Sequence, residues 1–215
     1  MSVTPIRISR LHFPVRALGP GARVGIWLQG CSIRCPGCIS LDTWSTSRGE
    51  TSVEAVVEAI VPWLATADGF TISGGEPFDQ PDALKSLLTW VRAVHGGDIL
   101  VYSGHPVEVL PLQEFEGLFD ALISDPLVLA ARQTLPLRGS DNQRLHIATE
   151  LGRLRFGDMA GPAALANTLD VMFDDATGDV FLAGIPQRGD LARLQKLLEL
   201  GGHKAGITED RQQYS

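Results

Sequence analysis

The sequence holds no apolar run of membrane-spanning length. Its best stretch, Ala55 to Ala65, is interrupted by Glu58 and Pro62, well short of the roughly 18 residues a span requires. Basic charge is also in deficit: 18 Lys and Arg stand against 25 Asp and Glu, for a net charge of −7. That balance argues against a general nucleic-acid binder, although a local basic patch would survive it. The opening residues MSVTPIRISRLHF mix Arg7 and Arg10 among apolar positions and lack a secretory h-region, so a cytoplasmic protein is expected. No repeat, low-complexity tract or linker divides the 215 residues, and 44% hydrophobic with 20% charged content is globular. Cysteine is scarce as well. Cys31, Cys35 and Cys38 are the only three, all within eight residues. An odd number so tightly clustered makes a poor disulfide framework and points instead to metal ligation.

The remaining pattern alternates. Arg23 to Gln29 reads as a strand leading into the cysteines, and Thr51 or Ser52 caps a helix with a Val53, Val56, Val57, Ile60, Leu64 face. Phe70 to Ser73 is a second short strand, ending in Gly74-Gly75-Glu76-Pro77. Asp82 to His95 reads as a helix closed by Gly96 and Gly97. Asp98 to Tyr102 is a third strand, followed by Ser103-Gly104. Pro106 to Gly117 is expected to hold a further helix, and Asp120 to Ser124 a fourth strand. This spacing predicts parallel βαβ units with function at the C-terminal strand ends. The three motifs, after the first, second and third strands, all fall there.

From about Gln143 the style changes. Arg144 to Thr149, Arg153 to Phe156, Leu169 to Phe173 and Val180 to Ala183 read as strands, with Asp175-Ala176-Thr177-Gly178 turning a hairpin between the last two. Asp190 to Leu200 is an amphipathic helix ending at Gly201-Gly202, and 203–215 is a polar tail. A single domain is expected: a core over about 5–148, a hairpin and helix over about 149–202, and the tail.

The spacing Cys31-x3-Cys35-x2-Cys38 suits an iron–sulfur cluster with one iron left open, since a four-iron cluster normally takes four thiolates. Gly30 and Gly37 would let the backbone wrap around a bulky group, with Pro36 to stiffen it. Zinc would want a fourth ligand, and His12, His95, His105, His146 and His203 are all remote in sequence. Unligated structural cysteines are the plainer alternative.

Cys-x3-Cys-x2-Cys after a first strand with GGEP after a second resembles the radical S-adenosylmethionine (radical SAM) superfamily. The wider context, LQGCSIRCPGC, SGGEP, YSG and RGSDNQR over 138–144, is similar to the activating enzymes of anaerobic ribonucleotide reductase, across roughly 5–148. The resemblance implies a partial (β/α) barrel, here with a β-rich C-terminal extension. It implies a [4Fe–4S] cluster on Cys31, Cys35 and Cys38, its open iron chelated by SAM, which is cleaved to methionine and a 5′-deoxyadenosyl radical. Gly37, Ser73, Gly74, Gly75, Glu76, Pro77, Tyr102, Ser103, Gly104 and Asp125 match positions around SAM. Glu76 would meet the methionine ammonium, Ser103 a ribose hydroxyl, and Ser124 and Asp125 SAM or a cation. Arg138 and Arg144 are candidates for contact with a partner or substrate. Gly37 and Ile39 stand where many relatives carry aromatics, which leaves the backbone or Trp44 as the candidate contact to the adenine. A glycyl-radical enzyme is the expected partner and a flavodoxin- or ferredoxin-type protein the reductant. The other readings are radical chemistry on a small molecule or peptide, and a non-catalytic iron–sulfur electron carrier or redox sensor.

Overall fold

The computed structural model describes residues 3–162, 169–173 and 180–202. In chain order the elements are β1 (Pro5–Val15), β2 (Arg23–Leu28), β3 (Glu50–Ser52), α1 (Val53–Ile60), β4 (Gly69–Gly74), α2 (Pro81–Val94), β5 (Asp98–Tyr102), β6 (Ala121–Ser124), β7 (Arg144–Ile147), α3 (Glu150–Phe156), β8 (Leu169–Phe173), β9 (Val180–Gly184) and α4 (Asp190–Leu200).

Seven strands form one sheet in the order β3-β1-β2-β4-β5-β6-β7. Its centre, β2-β4-β5-β6, is parallel, and the strands on either flank pair antiparallel. This is the expected mixed α/β architecture, a partial barrel with a separate two-stranded C-terminal sheet. Parallel strands buried on both faces read as near-continuous apolar runs, and β2 is buried at all six positions. The two-residue period divides them. Val24, Ile26, Leu28, Phe70, Ile72, Ile99, Val101 and Leu122 face α1 and α2, which contribute Val56, Ile60, Leu84, Leu87, Leu88 and Val91. Each of those helix side chains contributes roughly 1.5–3 kcal/mol by leaving water. Helix α1 starts where expected, with Ser52 Oγ accepting from Ala55 N at 3.1 Å.

The opposite, inner face is covered differently. Leu100, Ala121 and Ile123 pack on Phe156 of α3. Val15, Leu18 and Trp27 pack on Met172 and Ala183 of the β8–β9 hairpin. At the N-terminal end of the barrel strands a buried Arg23–Asp98 pair, 2.6 Å apart, is joined by Arg155 of α3 at 2.8 Å.

Several expectations change. Residues 153–156 are helical rather than extended. Thr149 Oγ1 accepts from Gly152 N at 3.0 Å, a side-chain cap that opens α3. The span Pro106 to Gly117 holds two short 3-10 turns, Val107–Val109 and Leu112–Phe115, in place of a helix. Pro106 and Pro111 sit at their entries and deny the backbone two donors. Strands β1 and β3 were not foreseen. The hairpin pairs antiparallel from Leu169↔Gly184 to Phe173↔Val180 as expected, while its turn at 175–178 and the tail at 203–215 lie outside the described residues.

Candidate active site

At the C-terminal ends of the parallel strands a cleft opens to solvent. The cysteine loop forms one wall. It leaves β2 at Gly30, whose φ of +103 favours glycine. The loop is tied down by Gly30 N donating to Thr43 O at 2.7 Å and Cys31 N to Trp44 O at 3.3 Å. Asp79, from the turn after GGEP, clamps Ser32 through its backbone N–H at 2.7 Å and its hydroxyl at 2.8 Å. Cys31, Cys35 and Cys38 are free, half-buried, and all line the cleft. Burial raises all three thiols, Cys38 to about 11. Three thiols that resist ionising alone form a donor set that calls for a positively charged partner. Among the described residues, no group of three or more His, Cys, Asp or Glu side chains is gathered for a single metal ion.

The end of β4 supplies the floor. Gly75 sits so close to the start of the cysteine loop that a Cβ there would fall 1.9 Å from Gly30 O. Gly75 N donates to Leu28 O and Glu76 N to Gly30 O, each at 2.8 Å. Glu76 is 1% exposed, and both of its oxygens are engaged within the protein. Oε1 accepts from Phe78 N at 3.0 Å and Ser103 Oγ at 2.9 Å; Oε2 accepts from Gly104 N at 2.8 Å. Burial raises its carboxyl above the usual range against those donors. Glu76 thereby pins the Tyr102-Ser103-Gly104 loop against Gly74-Gly75. The Ser103 hydroxyl, committed to Glu76, also accepts from His105 N at 3.0 Å.

Asp125 stands at the rim with φ +82. Arg144 grips it through Nε at 2.7 Å and Nη2 at 3.0 Å, and grips Glu108 at 2.6 and 2.8 Å. That guanidinium holds the Asp125 carboxyl below the usual range and Glu108 at about 2. Tyr102 donates its hydroxyl to Leu137 O at 3.0 Å.

Of the residues singled out from sequence, the three cysteines, Gly37, Ser73, Gly74, Gly75, Glu76, Tyr102, Ser103, Gly104 and Asp125 line this cleft, as does Trp44. Pro77 is buried in the turn beneath it. Arg138 is 4% exposed and bonds Pro136 O and Met159 O inside the fold. Arg144 reaches the cleft only through Asp125. Sequence reasoning missed the far wall, built by Leu127, Gln133 and Gly139 of the segment after β6 and by Ile185, Pro186 and Arg188 after β9. Apart from Gly139, which lies in the RGSDNQR segment, those positions carry no motif, so only the tertiary fold brings them in.

Residues 17–146 match the family described as "4Fe-4S single cluster domain". The chain belongs to this family. It is 31% identical over 147 residues to the "Anaerobic ribonucleoside-triphosphate reductase-activating protein" of Escherichia coli (strain K12), covering 63% of this chain and 95% of that protein. The protein of the same description from Enterobacteria phage T4 is 29% identical over 137 residues, with 61% and 88% covered. A "Pyruvate formate-lyase-activating enzyme" of Listeria monocytogenes is 39% identical over 80 residues, covering 35% and 32%. The protein is thus a radical SAM enzyme of the activating-enzyme type, whose cofactors are a [4Fe–4S] cluster and SAM. The site fits both groups. It offers three thiols on one loop, two glycines where main chain must come close, and a cleft-lining Trp44 whose buried Nε1 has no acceptor.

Proposed function

We propose that this protein cleaves SAM reductively and abstracts a hydrogen atom from a glycine of a partner enzyme, such as an anaerobic ribonucleotide reductase. The observation that carries the reading is the convergence of Cys31, Cys35, Cys38 and the Gly74-Gly75-Glu76 turn on one cleft. When bound, the cluster and SAM supply the chemistry, one electron splitting SAM into methionine and a 5′-deoxyadenosyl radical.

The chain's own residues bind, orient and exclude. Cys31, Cys35 and Cys38 would hold the cluster at one wall of the cleft. Gly74 and Gly75 let the end of β4 close against β2 and the cysteine loop, and they line the floor that receives the methionine half. Glu76 acts through others: its three hydrogen bonds fix the floor and the Ser103 loop as one unit. Asp125, locked by Arg144, presents an acid at the rim for a cationic group. Leu127, Ile185 and Pro186 add apolar walls that keep water from a reactive radical. The partner identity is supported by two kinds of activating relative, the closer in coverage being the reductase activators. A flavodoxin- or ferredoxin-type protein is the proposed electron source.

A second reading takes a small molecule or peptide as hydrogen donor. The wall from residues 185–191 favours it, because the aligned relative is covered almost end to end by 63% of this chain. An anoxic assay separates the two. The reconstituted, reduced protein is given SAM and 5′-deoxyadenosine is quantified, with and without anaerobic ribonucleotide reductase. A glycyl-radical EPR doublet on the added reductase is the expected result. 5′-Deoxyadenosine without that doublet supports the second reading, and no SAM cleavage with a reducible cluster defeats both.

A further inference from the structure

Trp44 follows the 3-10 turn Leu41–Thr43 directly after the cysteine loop. Its main chain secures the first cysteine, with Cys31 N donating to Trp44 O at 3.3 Å. Its side chain lines the same cleft as the third. The residue is half-buried, yet its Nε1 is shut off from solvent and makes no hydrogen bond. A buried donor left without an acceptor is costly, and such orphans are rare in folded proteins. Indole can only donate, so the missing partner is an acceptor. Cys38 lines the cleft beside it, and its sulfur is the group within reach of this N–H. A neutral thiol is a weak acceptor, whereas an iron-bound thiolate carries charge and accepts strongly.

We propose that Trp44 donates its indole N–H to the Cys38 thiolate of the cluster-loaded protein and so raises the cluster's reduction potential. The inference rests on the reading of Cys38 as a cluster ligand. A hydrogen bond to a ligand sulfur draws off electron density and stabilises the reduced, more negative state. Trp44 is then a positioning residue that acts on the cluster through Cys38. One residue therefore ties down Cys31 by its carbonyl and tunes Cys38 by its ring.

The test compares the reconstituted wild type with Trp44→Phe, and with the full-length protein carrying benzothienylalanine at position 44, which keeps the bicyclic shape but has no N–H. Trp90→Phe, on α2 far from the cleft, is the control. Iron and sulfide content is measured first, then the midpoint potential by EPR-monitored titration. At the wild-type midpoint both position-44 replacements are expected to show an oxidised-to-reduced ratio about tenfold higher. That corresponds to a shift of about 59 mV to more negative potential for a one-electron couple. The control keeps the wild-type value. A wild-type midpoint in the benzothienyl protein overturns the inference, whatever Trp44→Phe does, because ring shape rather than the N–H is then what counts. A wild type that assembles no reducible four-iron cluster brings down the functional reading too, and is recognised before any variant is made.

Discussion

At the scale of single residues, the site separates side chains that bind from side chains that hold the binders. The cysteines belong to the first group. Cys31→Ala, Cys35→Ala or Cys38→Ala is expected to abolish the four-iron absorbance after anoxic reconstitution, and full iron retention in any of them would sink that ligand assignment. Glu76 belongs to the second. Its sequence context suggests a partner for an ammonium, and Phe78, Ser103 and Gly104 also donate to its oxygens. Glu76→Ala is expected to lower stability by about 3 kcal/mol in urea unfolding, as three donors lose one acceptor. SAM affinity falls with it while iron content is spared. The motif was legible; the inward direction of its carboxylate was not, because that depends on a loop 27 residues further along. Arg144 shows the same division. With Glu108 and Asp125 held below their ordinary values, the stability these acids gain from Arg144 is complete above their unfolded values near 4. It is lost as pH falls toward about 2. Arg144→Ala should flatten that acid limb of a stability-versus-pH curve, and an unchanged limb would remove Arg144 from the account. Glu108 and Arg144 are exposed and Asp125 lies at the rim, so solvent screening keeps the effect small.

At the scale of elements, α3 shows how local pattern misleads. Arg153-Leu154-Arg155-Phe156 alternates polar with apolar like a strand, and its isolated reading is a strand. The cap at Thr149 and the close contact at Gly152 decide otherwise. A Cβ on Gly152 would lie 2.1 Å from Asp120 O, so Gly152→Ala should destabilise the fold even though alanine is the better helix former. Thr149→Ala should cost about 1 kcal/mol through the lost cap, somewhat more because Thr149 Oγ1 also donates to Asp120 Oδ1 at 2.5 Å. Chemical denaturation reads both, and a stabilised Gly152→Ala would contradict the packing described. The parallel strands were legible because burial on both faces leaves unbroken apolar runs. Strand β1 was not, since Arg7, Arg10 and Pro14 interrupt its apolar positions while its neighbours β2 and β3 lie on either side of it.

At the scale of the whole molecule, the sheet has two unlike coverings. Helices α1 and α2 come from the βα rhythm and could be read from it. The inner face is closed by α3 and by a hairpin whose contacts, Val15, Leu18 and Trp27, lie more than 140 residues earlier in the chain. No short-range pattern announces such a meeting. Asp170 strengthens it by accepting from Arg16 N at 2.6 Å and Ala17 N at 2.7 Å. Met172, 2% exposed, is the apolar centre of the contact. Met172→Asp would bury an unpaired charge, so it should undock the hairpin and expose β8–β9 to limited proteolysis, with the seven-stranded sheet intact. Cleavage no faster than in the wild type would show that the hairpin is held by other means.

The far wall of the cleft also carries a meaning in time. A ribosome delivers this chain from the N-terminus, and the strands of the large sheet are complete once Ile147 has emerged. Three cysteines and the floor of the site can then assemble around an open side. Ile185, Pro186 and Arg188 come only afterwards. Synthesis thus sets an order for maturation, in which a bulky inorganic group can be delivered before the last segment folds across its route of entry.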